Sequence, residues 1–81
     1  MRIPRQLSGP DVAHALRALG YERARREGSH LRLTTQVNGT HHVTVPNHKP
    51  LKVGTLLGGV LKPVAAHHRL TVEELLAKLG L

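Results

Sequence analysis

Eighty-one residues suffice for one small domain, and no apolar stretch among them approaches the roughly 18 residues that span a bilayer. Twelve Lys and Arg against five Asp and Glu give a formal charge of +7, concentrated in residues 1–69 with eleven basic and three acidic side chains, while 70–81 hold one and two. The absence of cysteine excludes disulfides, thiolate catalysis and Cys-bearing zinc sites, and a lone aromatic residue, Tyr21, argues against base-stacking platforms.

Ser8-Gly9-Pro10-Asp11 reads as a helix start, with Ser8 as N-cap, Pro10 in the first turn and Asp11 at the positive dipole end. Val12, Ala15, Leu16 and Leu19 recur at helical spacing, and Gly20 supplies the stop. From Tyr21 the period changes. Tyr21–Arg26 is expected to be a strand despite four charged residues, and Glu27-Gly28-Ser29 breaks it. Leu31 and Leu33 alternate with Arg32 and Thr34, and Val43 and Val45 alternate with His42 and Thr44. Asn38-Gly39 between these strands is a strong hairpin signal. A basic loop, Asn47–Val53, precedes a second helix capped by Thr55 with the stripe Leu57, Val60, Leu61 and Val64. Pro63 cannot donate to the Gly59 carbonyl, so a kink or break is expected near Lys62. Thr71-Val72-Glu73-Glu74 is a capping box for a last helix. The order α-β-β-β-α-α predicts an α+β fold: a three-stranded antiparallel sheet with helices on one face and the other face open.

On that open face, alternation sets His30 with Arg32 and Thr34, near Arg23, Arg25 and Arg26. Imidazole titrates near pH 6.5, which suits general acid–base work, and guanidinium groups hold phosphodiesters. A bulge at Gly28-Ser29 would re-aim His30. Seven histidines cannot all be functional. His41-His42 and His67-His68 match no standard metal-ligand spacing, so no metal and no cofactor are expected, and His14 reads as a surface residue of the first helix. His48 follows the last strand and can approach the same face as His30, which makes it a candidate to assist. Gly54-x-x-x-x-Gly59 lacks the Lys-Ser/Thr of a P-loop, and five scattered carboxylates do not suit two-metal nuclease chemistry.

Several fragments together resemble the HicA family of toxins. They are Leu19-Gly20-Tyr21-Glu22 leading to Arg25-x-x-Gly28-Ser29-His30, then Val43-x-Val45-Pro46-x-His48, then Leu51-Lys52-x-Gly54-Thr55-Leu56, and Leu70-Thr71-x-Glu73-Glu74. The resemblance runs from Ser8 to Leu76, so residues 1–81 are expected to be one HicA-like domain with a core over 8–76. It implies a fold like the double-stranded RNA-binding domain, and a toxin that cleaves messenger RNA in the cytoplasm and is neutralised by a HicB antitoxin. It further implies that the histidine of the Gly-Ser-His motif, His30, is catalytic. The stretch Gly58–Arg69 is longer than is usual in the family, which bears on the packing of the last helices and on the antitoxin contact.

The expected activity is therefore a metal-independent endoribonuclease. RNA phosphates would be gripped by Arg23, Arg25, Arg26, Arg32, Lys49 and Lys52, with His30 as base and Ser29 and His48 as possible helpers. No second proton donor is evident from the chain alone, so a slow enzyme is expected. The alternative reading is a non-catalytic RNA-binding module using the same basic surface, with a ribosome-associated structural protein as a third.

Overall fold

A computed structural model describes residue 3 and residues 6–81, leaving out the side chains of residues 25–27. Helix α1 spans Gly9–Leu16. The Asp11 N–H donates to Ser8 Oγ at 3.1 Å and the Ser8 N–H donates to the Asp11 carboxylate at 3.1 Å, so two otherwise orphan donors are satisfied at the helix start. After Leu16 the helix tightens into a 3₁₀ turn, Arg17–Leu19, and ends at Gly20 with φ +83°. A Cβ there would lie 2.8 Å from Val37 Cγ2 and 2.9 Å from Thr35 Oγ1, so both the backbone conformation and the space demand glycine.

Strands β1 (Glu22–Glu27), β2 (His30–Thr35) and β3 (His41–Pro46) form an antiparallel sheet in the order β1-β2-β3. Pairing of Glu27 with His30 leaves Gly28-Ser29 as a two-residue turn, so β1 runs one residue past its expected end. The bulge lies elsewhere. Arg23 pairs with Leu33 and Arg25 with Arg32, so Ala24 is the extra residue in β1. Asn38 (φ +57°) and Gly39 (φ +96°) occupy the left-handed region in the β2–β3 connection, as an Asn-Gly hairpin turn requires.

The predicted second helix begins earlier than Thr55. Lys52 is the N-cap of α2 (Val53–Leu56), and Thr55 lies within the helix, because the Leu51 N–H is already spent on the Leu7 carbonyl at 2.7 Å and Leu51 is buried. The break expected near Lys62 takes the form of a change of helix type at that residue. Helical backbone continues through a π-helical stretch, Leu57–Leu61, in which the Lys62 N–H donates to the Leu57 carbonyl. Helix α3 (Lys62–His67) then carries Pro63 in its first turn, where the missing N–H is tolerated. Helix α4 (Val72–Leu79) starts with the Thr71–Glu74 capping box, at 3.0 Å and 2.9 Å.

The core lies between the helices and one sheet face. Leu31, Leu33, Val43 and Val45 point inward from the sheet against Val12 and Leu16 of α1, Leu56, Val60, Leu61 and Val64, and Leu75, all at most 5 % exposed. The opposite sheet face leaves His30, Arg32, His42 and Thr44 exposed. This is an α+β fold, consistent with an arrangement like the double-stranded RNA-binding domain. No helix among the described residues is long and apolar enough to cross a membrane.

Candidate functional site

His30 is the first residue of β2, immediately after the Gly28-Ser29 turn, and pairs with Glu27 on one side and Pro46 on the other. Because Leu31, Leu33 and Thr35 are buried, alternation delivers His30 to the open face, where it is exposed.

The chain leaving β3 returns to the same corner and is fixed there by backbone hydrogen bonds. The Asn47 N–H donates to the Ser29 carbonyl at 2.6 Å, and the Gly9 N–H donates to the His48 carbonyl at 2.9 Å. Helix α1 approaches this loop so closely that a Cβ on Gly9 would lie 2.0 Å from the Pro46 carbonyl oxygen and 3.0 Å from Asn47 Cα. The turn before His30 and the start of α1 therefore hold the loop between them.

The result is a groove of about 540 Å³ lined by His30, Pro46, His48, Lys49, Pro50, Leu51, Lys52 and Thr55. Four of these side chains are basic and none is acidic, so the groove suits an anion. Lys49 also lies near α1. The Asp11 carboxyl is held below the usual carboxylate range by its hydrogen bonds with Ser8, and the Lys49 charge adds to that. The groove thus gathers His30, His48, Lys49 and Lys52 from two segments of chain. Thr55, expected only as a helix cap, joins them because the earlier helix start places it in the first turn of α2, where it lines the groove.

Other basic residues lie further off. Arg32 is exposed on the open face opposite Thr44, two positions along β2 from His30, and does not line the groove. Arg25 pairs with Arg32 and Arg26 with Leu31 in the backbone register; the side chains of both fall outside the described residues. Arg23 lies before the Ala24 bulge and lines a separate groove of about 490 Å³ with Pro10, Ala13, His14, Arg17, Glu22 and Leu33. The structure does not bring it to His30. Ser29 is exposed in the turn, its carbonyl engaged by Asn47.

Three further histidines gather around Tyr21 on the helix-covered side. The fully buried Tyr21 hydroxyl lies 2.7 Å from His41 Nδ1 and 3.2 Å from His68 Nε2, so it donates its one proton to one imidazole and accepts from the other. His67 stacks on His41 with ring centroids 4.4 Å apart, and its Nε2–H donates to the Val37 and Gly39 carbonyls at 2.9 and 3.1 Å. Burial lowers the pKa of His41 and of His68, with further lowering from the neighbouring imidazoles, and burial pushes the Tyr21 phenol up to about 12. His42 is exposed on the open face, with Nδ1 2.8 Å from Thr34 Oγ1. Among the described residues no three His, Cys, Asp or Glu side chains are grouped to hold a metal ion.

A family model described as "HicA toxin of bacterial toxin-antitoxin" matches residues 9–62, about two thirds of the chain, from the first turn of α1 to the first residue of α3. Comparison with curated proteins and with solved structures returned no significant match. The matched span contains the sheet, the His30–His48 groove and the loop that builds it. On this match the chain belongs to the HicA toxin family of bacterial toxin–antitoxin systems, which makes it a toxin with an antitoxin as partner.

Proposed function

We propose that the chain, as a single domain over residues 1–81, is a metal-independent endoribonuclease that cleaves messenger RNA in the cytoplasm and is neutralised by a HicB-type antitoxin. The observation that carries this reading is the groove itself: an exposed imidazole, His30, shares it with His48, Lys49 and Lys52, the basic half of its described lining. That lining favours a phosphodiester, and among the described residues it presents no carboxylate to hold a divalent cation. Arg32, with Arg25 opposite it in the register and Arg26 next along β1, would extend the phosphate track along the sheet, whereas Arg23, in its separate groove, is left out of that track. Ser29 stands next to the scissile region as a hydrogen-bonding helper. An acidic antitoxin surface would be steered to the same corner by the net charge of +7.

In this reaction His30 takes the proton of a ribose 2′-OH, the 2′-oxygen attacks the adjacent phosphorus, and the 5′-oxygen leaves. The products are a 2′,3′-cyclic phosphate and a 5′-OH. One acid–base group of this kind contributes about 10²–10⁴ in rate. The test is cleavage of a short RNA in EDTA with product ends identified. Activity should persist, an RNA with 2′-deoxy at the cleaved position should bind without being cut, and His30→Ala should bind but not cleave. A 5′-phosphate product, or activity lost in EDTA and restored by Mg²⁺, refutes it. RNA binding by the wild type with no cleavage at all would favour the non-catalytic RNA-binding module.

A further inference from the structure

Attack by a 2′-oxygen leaves one proton transfer without a partner. His30 removes a proton on the attacking side, while the departing 5′-oxygen needs one on the opposite side, because attacking and leaving oxygens stand roughly in line through phosphorus. One imidazole cannot serve both positions in the same step.

We infer that His48 is the general acid of this site, protonating the 5′-oxygen as it leaves, opposite His30. The inference rests on the endoribonuclease reading and adds a second catalytic residue to it. His30 enters the groove from the start of β2 and His48 enters from the loop after β3, so the two imidazoles arrive from different segments into one 540 Å³ space. The loop is tied at two points. The Asn47–Ser29 bond pins it to the turn that carries His30, and the Gly9–His48 bond pins it to α1 at His48 itself. Among the described residues, the titratable groups lining the groove with His48 are His30, Lys49 and Lys52, and Asp11 of α1 feels the Lys49 charge.

Elimination points the same way. Lys49 and Lys52 are ammonium groups, compact positive charges on flexible stems, which suits them to hold phosphate rather than pass a proton. The Thr55 hydroxyl is weaker still as an acid. Among the other histidines, His41 and His68 are bonded to Tyr21, His67 to two carbonyls and His42 to Thr34, while His14 lines the other groove. No side-chain hydrogen bond among the described residues occupies the His48 ring.

The step balances. The 2′-OH proton passes to His30, the 2′-oxygen–phosphorus bond forms, and the phosphorus–5′-oxygen bond breaks. His48, starting as imidazolium, gives its proton to the 5′-oxygen. Proton exchange with water resets both rings.

The experiment replaces the leaving oxygen. Two RNAs are compared, one ordinary and one with sulfur in place of the bridging 5′-oxygen at the cleaved bond, since a thiolate departs without a proton. On ordinary RNA, His48→Ala and His48→Gln should each lose about 10²–10⁴ in kcat with KM within about twofold of wild type. On the sulfur-bridged RNA both should recover to within about tenfold of wild type, whereas His30→Ala should stay slow on both. Melting curves matching wild type establish that the variants fold, and the comparison of two substrates on one protein is independent of how much is folded. Equal slowness of the His48 variants on both RNAs overturns the inference, as does full activity on ordinary RNA, and in either case a dead His30→Ala leaves the endoribonuclease reading standing. A wild type that cuts neither RNA overturns both.

Discussion

His30 and His41 stand at opposite ends of the β2–β3 ladder and on opposite faces of the sheet. Thr35, the partner of His41, is five positions from His30, about 17 Å along the strand. At the His30 end the imidazoles are exposed, lie among lysines and line an open groove. At the other end His41, His67 and His68 are packed around Tyr21, bonded to it or to backbone carbonyls, and two of them have lowered pKa values because they are buried. The same side chain is thus free to meet a ligand in one place and a fastener in the other. What differs is solvent: an exposed ring can exchange a proton and meet a ligand, whereas a packed ring has spent its nitrogens on the fold.

The comparison breaks first on mutation of each end. His30→Ala should abolish about 10²–10⁴ of the cleavage rate and leave the melting temperature within a degree or so. Tyr21→Phe should do the reverse. It strips the partner from His41 Nδ1 and His68 Nε2 in a buried setting, which costs about 1–3 kcal/mol of stability, while kcat per folded molecule stays at the wild-type value. Denaturant unfolding and cleavage on the same samples check both, and a Tyr21→Phe protein of normal stability but reduced kcat would erase the distinction.

Gly9→Ala is expected next in size and joins the two properties. A methyl group 2.0 Å from the Pro46 carbonyl must displace the loop that carries His48. Overpacking of this kind costs about 1–3 kcal/mol. Because the groove is built on that loop, cleavage should fall more than the lost stability explains; Gly9→Ala with unchanged cleavage would detach the α1 clamp from the site.

The smallest effect is with pH. His41 and His68 are held neutral in the folded protein, and the unfolded chain takes up protons near the ordinary imidazole value of about 6.5. Their contribution to stability is complete above about pH 6.5 and is lost as pH falls through the lowered folded values. Asp11 and Glu74, lowered by their capping boxes, act only in the carboxylate range below. Melting temperature should therefore drop between pH 7.5 and 5.5, and His68→Gln should make that drop shallower. A drop of equal steepness in His68→Gln would show that the packed imidazoles are not its source.

Much of this molecule is legible along the chain because its signals are local. Ser8 with Asp11, Thr71 with Glu74 and Asn38-Gly39 act within three or four residues, and each appears in the structure with the bonds or dihedrals expected of it. The alternation of Leu31 and Leu33 with His30 and Arg32 also needs only a strand with one buried face. The family resemblance marked the Gly-Ser-His segment and the Pro-x-His segment separately.

Bringing these segments together was a matter of tertiary structure. The groove exists because β3 pairs with β2 so that Pro46 stands beside His30, and because α1 comes near enough to Pro46 to require Gly9. The hairpin signal at Asn38-Gly39 announces the pairing but not its register, and the approach of α1 has no signature in spacing. Arg23 seemed one of a row of arginines until the Ala24 bulge, invisible in a run of charges, separated it from the others. The second helix starts at Val53 where Thr55 reads as its cap, since burial of Leu51 and Leu56 outweighs local capping preference, and its change of type at Lys62 falls where Pro63 places a break. By itself, then, the sequence determined the elements, the buried face and the basic charge, which depend on near neighbours and composition. Which histidines face solvent together and which are packed away was decided only when distant segments met, because a proton-transfer site is defined by contacts across the fold and not by order along the chain.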